Sequence, residues 1–138
     1  MFIPVWQFQG DDKDLASLIR PLFRSLVPIA LQHSIVVAVV TFSPQTHLIA
    51  EALKIQFPTV YQEIALRCSD GSWSHAGNGS QEGKQPFMAS AAHELSERYN
   101  IEITRRSTLL IDDDFRNVHI ALKYKTPAIR FVPENVDL

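Results

Sequence analysis

Ser107-Thr108-Leu109-Leu110-Ile111-Asp112-Asp113-Asp114-Phe115-Arg116-Asn117 is the stretch on which the fold turns. An apolar run ends abruptly in three consecutive carboxylates, and a helical pattern (Val118, Ile120, Ala121, Leu122) follows at once. A short Leu/Ile-rich run without polar alternation reads as a strand buried on both faces, the usual case in a parallel sheet. In such sheets ligands are handled just beyond the carboxyl ends of the strands. The three acids therefore stand where an α/β protein keeps its site.

Working outward, residues 35–40 (Ile-Val-Val-Ala-Val-Val) are β-branched and wholly apolar and form the clearest strand. The run ends in Thr41-Phe42-Ser43, where Ser43 suits an N-cap and Pro44 a first helical position, so a helix is expected to about Gln56, stopped by Pro58. Residues 60–66 read as a further strand. Residues 69–83 are dense in Gly, Ser and Asn and read as a loop, with Trp73 in its middle covering a core edge rather than lining a site. A helix over about 86–98 follows, then the acidic-ended strand, a helix over 115–124 and a last strand over 128–132 closed by Pro133. Nearer the start, Leu15, Leu18, Ile19, Leu22, Phe23, Leu26 and Ile29 recur at three-four spacing. Pro21 and Pro28 interrupt this pattern, so a short helix is expected to end near Arg20 and a second to begin at Pro21. Residues 1–10, MFIPVWQFQG, are strand-like in composition, but Pro4 argues against a central strand, and they read as an edge or irregular lead-in. Alternation of helix and strand predicts one α/β domain over 1–138, a mostly parallel sheet with helices on both faces.

Bulk properties narrow the function. A formal net charge of -2 offers no electrostatic argument for nucleic acid or an anionic membrane as partner. The longest apolar stretch, 35–40, is far too short to span a bilayer, and no signal-peptide pattern opens the chain. The single cysteine, Cys68, cannot make an internal disulfide and fits a reducing, cytoplasmic setting. It reads as an apolar filler rather than a nucleophile. His33, His47, His75, His93 and His119 show no ligand spacing, so no zinc site is expected.

Three features then stand at strand or loop ends in a fixed order: Thr41, Lys84 after the Gly-rich loop, and Asp112 with Asp113, followed by Asn117. A hydroxyl and an ammonium can hold phosphate oxygens. Two adjacent carboxylates repel unless a hard cation relieves them, and oxygen ligands of this kind suit Mg²⁺. The chemistry this set suggests is phosphoryl handling.

Val39-Val40-Thr41-Phe42-Ser43, Gly83-Lys84-Gln85 and Leu110-Ile111-Asp112-Asp113-Asp114-Phe115-Arg116-Asn117-Val118 resemble motifs II, III and IV of the haloacid dehalogenase (HAD) superfamily. The run Pro127-Ala128-Ile129-Arg130-Phe131 is similar to the strand that follows motif IV there, so the likeness covers roughly residues 20–133, and it extends to HAD-like proteins of protists. The resemblance implies a Rossmann-like core without a cap domain. It implies that Thr41, with the adjoining Phe42, binds phosphoryl oxygens, that Lys84 neutralises phosphate and nucleophile, that Asp112 and Asp113 hold Mg²⁺, and that Asn117 steadies their loop. It implies hydrolysis of a small-molecule or protein phosphate ester through an aspartyl-phosphate. A receiver domain uses similar groups, but its acid pair comes early and its Lys late, the reverse of the order here.

One departure bears on activity. The superfamily's nucleophile ends an apolar strand in an Asp-x-Asp pattern ahead of motif II. The only Asp-x-Asp before Thr41 is Asp12-Lys13-Asp14, preceded by Gln7-Phe8-Gln9-Gly10 and followed directly by a helical pattern. It reads as a set of helix N-terminal acids. The strand bearing the nucleophile is expected to be missing or replaced. Residues 2–8 could fill its place, the sheet could be rearranged, a second copy in a homodimer could supply an edge, or the motif could lie upstream of Met1. The expected function is a HAD-like domain with a phosphate and Mg²⁺ pocket but without aspartyl-phosphate chemistry. The alternative is an active Mg²⁺-dependent phosphatase using Asp12.

Overall fold

A computed structural model describes residues 1–5, 15, 17–74 and 82–132. Its elements in chain order are β1 (Phe2–Ile3), α1 (Pro21–Gln32), β2 (Ala38–Val40), α2 (Thr46–Gln56), β3 (Ala65–Arg67), α3 (Gln85–Tyr99), β4 (Leu110–Asp112), α4 (Phe115–Lys123) and β5 (Ala128–Arg130). The strands form one five-stranded sheet in the order β3-β2-β1-β4-β5, and every neighbouring pair is parallel. This is a Rossmann-like α/β fold.

Strand alternation sorts the core into two layers. Ile3, Val37, Val39 and Ile111 face α1 and α2, packing on Phe23, Val27, Ile49 and Leu53. Phe2, Ala38, Val40, Ala65 and Leu110 face α3 and α4, packing on Met88, Ala91, Leu95 and Ala121. Chain direction reverses its march across the sheet between β1 and β4: β2 and β3 build out on one side, β4 and β5 on the other. The crevice at the carboxyl ends of β1 and β4 is the topological switch point, where ligands bind in sheets of this kind.

Several sequence expectations need correction. The stretch 1–10 is not wholly a lead-in, because Phe2 and Ile3 form the central strand, buried and paired with both β2 and β4. Phe2 N donates to Leu109 O at 2.9 Å, and Ala38 N donates to Met1 O at 2.9 Å. Pro4 is compatible with this place because it follows the last paired residue and needs to donate no ladder hydrogen bond. Described residues of the chain thus fill the centre of the sheet. Pro28 lies inside α1 and does not end it. The strand expected over 60–66 is confined to Ala65–Arg67, preceded by a 3₁₀ turn at Tyr61–Glu63. Helix α2 starts at Thr46 rather than Pro44, because the Ser43 Oγ accepts Gln45 N in a local turn at 3.1 Å. Among the described residues, no helix is long and apolar enough to cross a membrane.

Candidate functional site at the switch point

Strand parity places the key carboxylate. Leu110 faces α3 and α4, Ile111 faces the opposite layer, and Asp112 therefore returns to the α3/α4 side. It is completely buried there. Lys84 Nζ meets Asp112 Oδ2 at 2.6 Å, with both side chains sequestered from water. Asn117 Nδ2 donates to the same oxygen at 3.3 Å, and Asp114 N donates to Oδ1 at 2.9 Å. Burying an ion pair costs desolvation on both partners, and added hydrogen bonds to the charged groups offset that cost. Asp112 has both of its oxygens so engaged.

The loop and helix ends that deliver these groups are themselves fixed. Lys84 immediately precedes α3, and the Thr126 hydroxyl donates to Gln85 Oε1 at 3.2 Å, tying the start of α3 to the turn before β5. Gly83 has φ +56, and a Cβ there would stand 3.2 Å from Ile120 Cδ1 and 3.3 Å from Asn117 Oδ1. Glycine thus lets the backbone carrying Lys84 pass directly against α4. Arg67, the last residue of β3, donates to Ser90 Oγ at 2.8 Å and to Glu94 Oε1 at 3.0 Å, holding α3 along the sheet. Asp114 caps α4, accepting from Arg116 N at 2.8 Å.

Thr41 follows β2 and is buried. Its N–H donates to Arg67 O at 3.0 Å, and its Oγ1 accepts from Ser43 N at 3.1 Å. That bond uses the hydroxyl as an acceptor, so its proton is not committed by it. The next residue brings this loop to the ion pair: Lys84 Nζ lies 5.8 Å from the centroid of the Phe42 ring. Asp113, next to Asp112, is exposed. Partial desolvation first, then the neighbouring Asp112 carboxyl, raise its pKa above the ordinary carboxylate range. Arg20, which precedes α1, is also within the electrostatic reach of Asp113.

The sequence-derived set Lys84, Asp112, Asn117 and the Thr41-Phe42 loop is therefore gathered on one rim of the sheet, with Asp113 at its outer side. Sequence reasoning missed two contributors. One is Gly83, whose positive φ was signalled only by its place before Lys84. The other is the aromatic group around Phe42. Trp73, read as a cover for the core, packs on Phe87, which packs on Phe42. Cys68 is buried in the core, and burial pushes its thiol up, which suits a filler and not a nucleophile.

The central strand carries no carboxylate among its described residues. Ile3 is in register with Val39, and Phe2 with both Ala38 and Leu110. The next residues, level with the Thr41 and Asp112 rim, are buried Pro4 and half-buried Val5. Neither carries a group that can act as a nucleophile. Asp12 and Asp14 lie outside the described residues.

The acid pair bears directly on Mg²⁺. Among the described residues, no group of three or more His, Cys, Asp or Glu side chains is placed to hold a metal. Mg²⁺, however, is commonly held by one or two carboxylates, with water and ligand oxygens completing its shell. Asp112 and Asp113 are two adjacent carboxylates; desolvation first, and Asp112 second, raise the Asp113 value, and a nearby cation would act against both. Asp113 is exposed to such an ion, whereas both Asp112 oxygens are engaged by Lys84, Asn117 and Asp114 N. Compared with family models, with curated proteins and with solved structures, the chain matches none.

Proposed function

We propose that this chain is a HAD-like domain whose switch-point pocket binds a phosphate group without forming an aspartyl-phosphate. The observation that carries the reading is the buried Lys84–Asp112 pair, braced by Asn117, beside a central strand that runs into Pro4 and Val5. Lys84 is a three-proton donor, and its single short bond to Asp112 leaves donor capacity for a phosphate oxygen at the same rim. Thr41 supplies a hydroxyl proton, and the loop from Thr41 to Ser43 supplies backbone at the carboxyl end of β2. Asp112 holds the ammonium in place. Asp113, with Asp112, would hold Mg²⁺, which supplies charge neutralisation to a bound phosphate. An aspartyl-phosphate requires a carboxylate nucleophile, and Pro4 and Val5, which follow the central strand, provide none.

Calorimetric titration with inorganic phosphate tests the binding claim. The intact chain is expected to give saturable binding that Lys84→Gln weakens at least about tenfold, the loss of one charge-assisted contact. Because Lys84→Gln also disturbs a buried pair, Thr41→Val serves as a second variant and is expected to weaken binding as well. Absence of phosphate binding by the folded chain, with and without Mg²⁺, would sink the proposal.

A further inference from the structure

Three aromatic side chains, two from connections and one from a helix, form a row of contacts that reaches Lys84 through Phe42. Phe42 lies after β2, Trp73 after β3, and Phe87 in the first turn of α3. Phe42 and Phe87 meet edge to face at 5.2 Å and 86°, and Trp73 and Phe87 at 4.7 Å and 67°. The Trp73 indole N–H donates to Cys68 O at 2.6 Å, which fixes the outermost ring. Trp73 and Phe87 are half-buried, whereas Phe42 is 49% exposed although its position is set by a neighbouring ring. An ammonium that is otherwise buried faces that same ring. The result is a half-exposed ring held by a neighbouring ring, next to the Lys84 ammonium.

We infer that Phe42, backed by Phe87 and Trp73, is the recognition face for the alcohol part of the ligand, and that the pocket takes a small phosphate monoester of an aromatic alcohol. The inference rests on the phosphate-pocket reading above and adds its substrate class. The spacing selects the ligand. Ammonium and ring centroid are 5.8 Å apart, and aromatic faces prefer centroid separations of about 4.5–7 Å. A ligand that carries its phosphate and its ring side by side engages both over this short separation. A phosphate on a ring oxygen meets this condition. A nucleoside 5′-phosphate, with a sugar between phosphate and base, holds its ring farther from the phosphate and is the comparison ligand in the test.

Calorimetry on the intact chain with inorganic phosphate, n-butyl phosphate, phenyl phosphate and adenosine 5′-monophosphate tests this. Phenyl phosphate is expected to bind about tenfold more tightly than inorganic or butyl phosphate, a factor in line with one well-placed aromatic contact. The ratio of phenyl to inorganic phosphate affinity is expected to fall toward one in Phe42→Ala. It should also fall in Phe42→Leu, which keeps apolar bulk but has no ring. Equal affinity for phenyl and butyl phosphate, a ratio that survives both variants, or tighter binding of the adenosine ester would overturn the inference while leaving the phosphate pocket standing. Failure of every phosphate species to bind would overturn both.

Discussion

Asp112 is the residue with most at stake. Its charge is buried and is balanced by Lys84, so removal of the ammonium leaves an uncompensated carboxylate. Lys84→Met is expected to destabilise the fold by about 3 kcal/mol, measured by urea denaturation. Adding Asp112→Asn to that variant should recover at least about 1 kcal/mol, because the stranded charge is removed with it. Simple additivity of the two changes would contradict the pairing. Asp113 behaves in the opposite sense. Its folded value is raised above the ordinary 3.8, so the native state resists its ionisation. Below 3.8 both states hold the proton and nothing is lost; as pH rises past 3.8 the unfolded state ionises first and stability falls. Asp113→Asn should therefore melt with the parent at about pH 3 and above it at about pH 7. Mg²⁺ should narrow that gap by favouring the ionised parent. A gap largest in acid would contradict the sign.

At the scale of elements, β4 and its acids were legible because an apolar run without alternation, cut off by charged residues, suits little besides a strand covered on both faces. The Lys84 side of the site was legible only as a position after a loop. What makes that position work is Gly83, whose φ of +56 and close approach to Asn117 have no sequence signature beyond glycine itself. Gly83→Ala is expected to cost about 1 kcal/mol or more in thermal or chemical melts, from the left-handed backbone and from pressure on Asn117 and Ile120. An unchanged midpoint would mean that the loop can relax. The 60–66 stretch misled for a different reason. Val60 and Tyr61 have strand-forming side chains, but their N–H groups bond back to Phe57 O at 3.1 and 2.8 Å, and local turn hydrogen bonds win over the ladder. Central strand β1 was masked by Pro4, which reads as a strand breaker in sequence but in the fold merely ends a two-residue strand.

The whole molecule is a Rossmann-like sheet whose shortest strand is also its middle one. Packing there must come from few residues. Ile3 is almost completely buried between β2 and β4, whereas Ile129 on edge strand β5 is 54% exposed. Ile3→Ala should cost about 3 kcal/mol and Ile129→Ala less than about 0.5 kcal/mol in the same denaturation assay. Comparable losses at the two sites would contradict the strand order. That order also frames function, because it puts Pro4 and Val5, rather than a carboxylate, beside Lys84 and Asp112 at the switch point. The most direct measurement is release of p-nitrophenol from p-nitrophenyl phosphate by the intact chain with Mg²⁺. We expect no release above that of the Lys84→Gln variant. Robust Mg²⁺-dependent turnover, abolished by Asp12→Asn, would contradict the account.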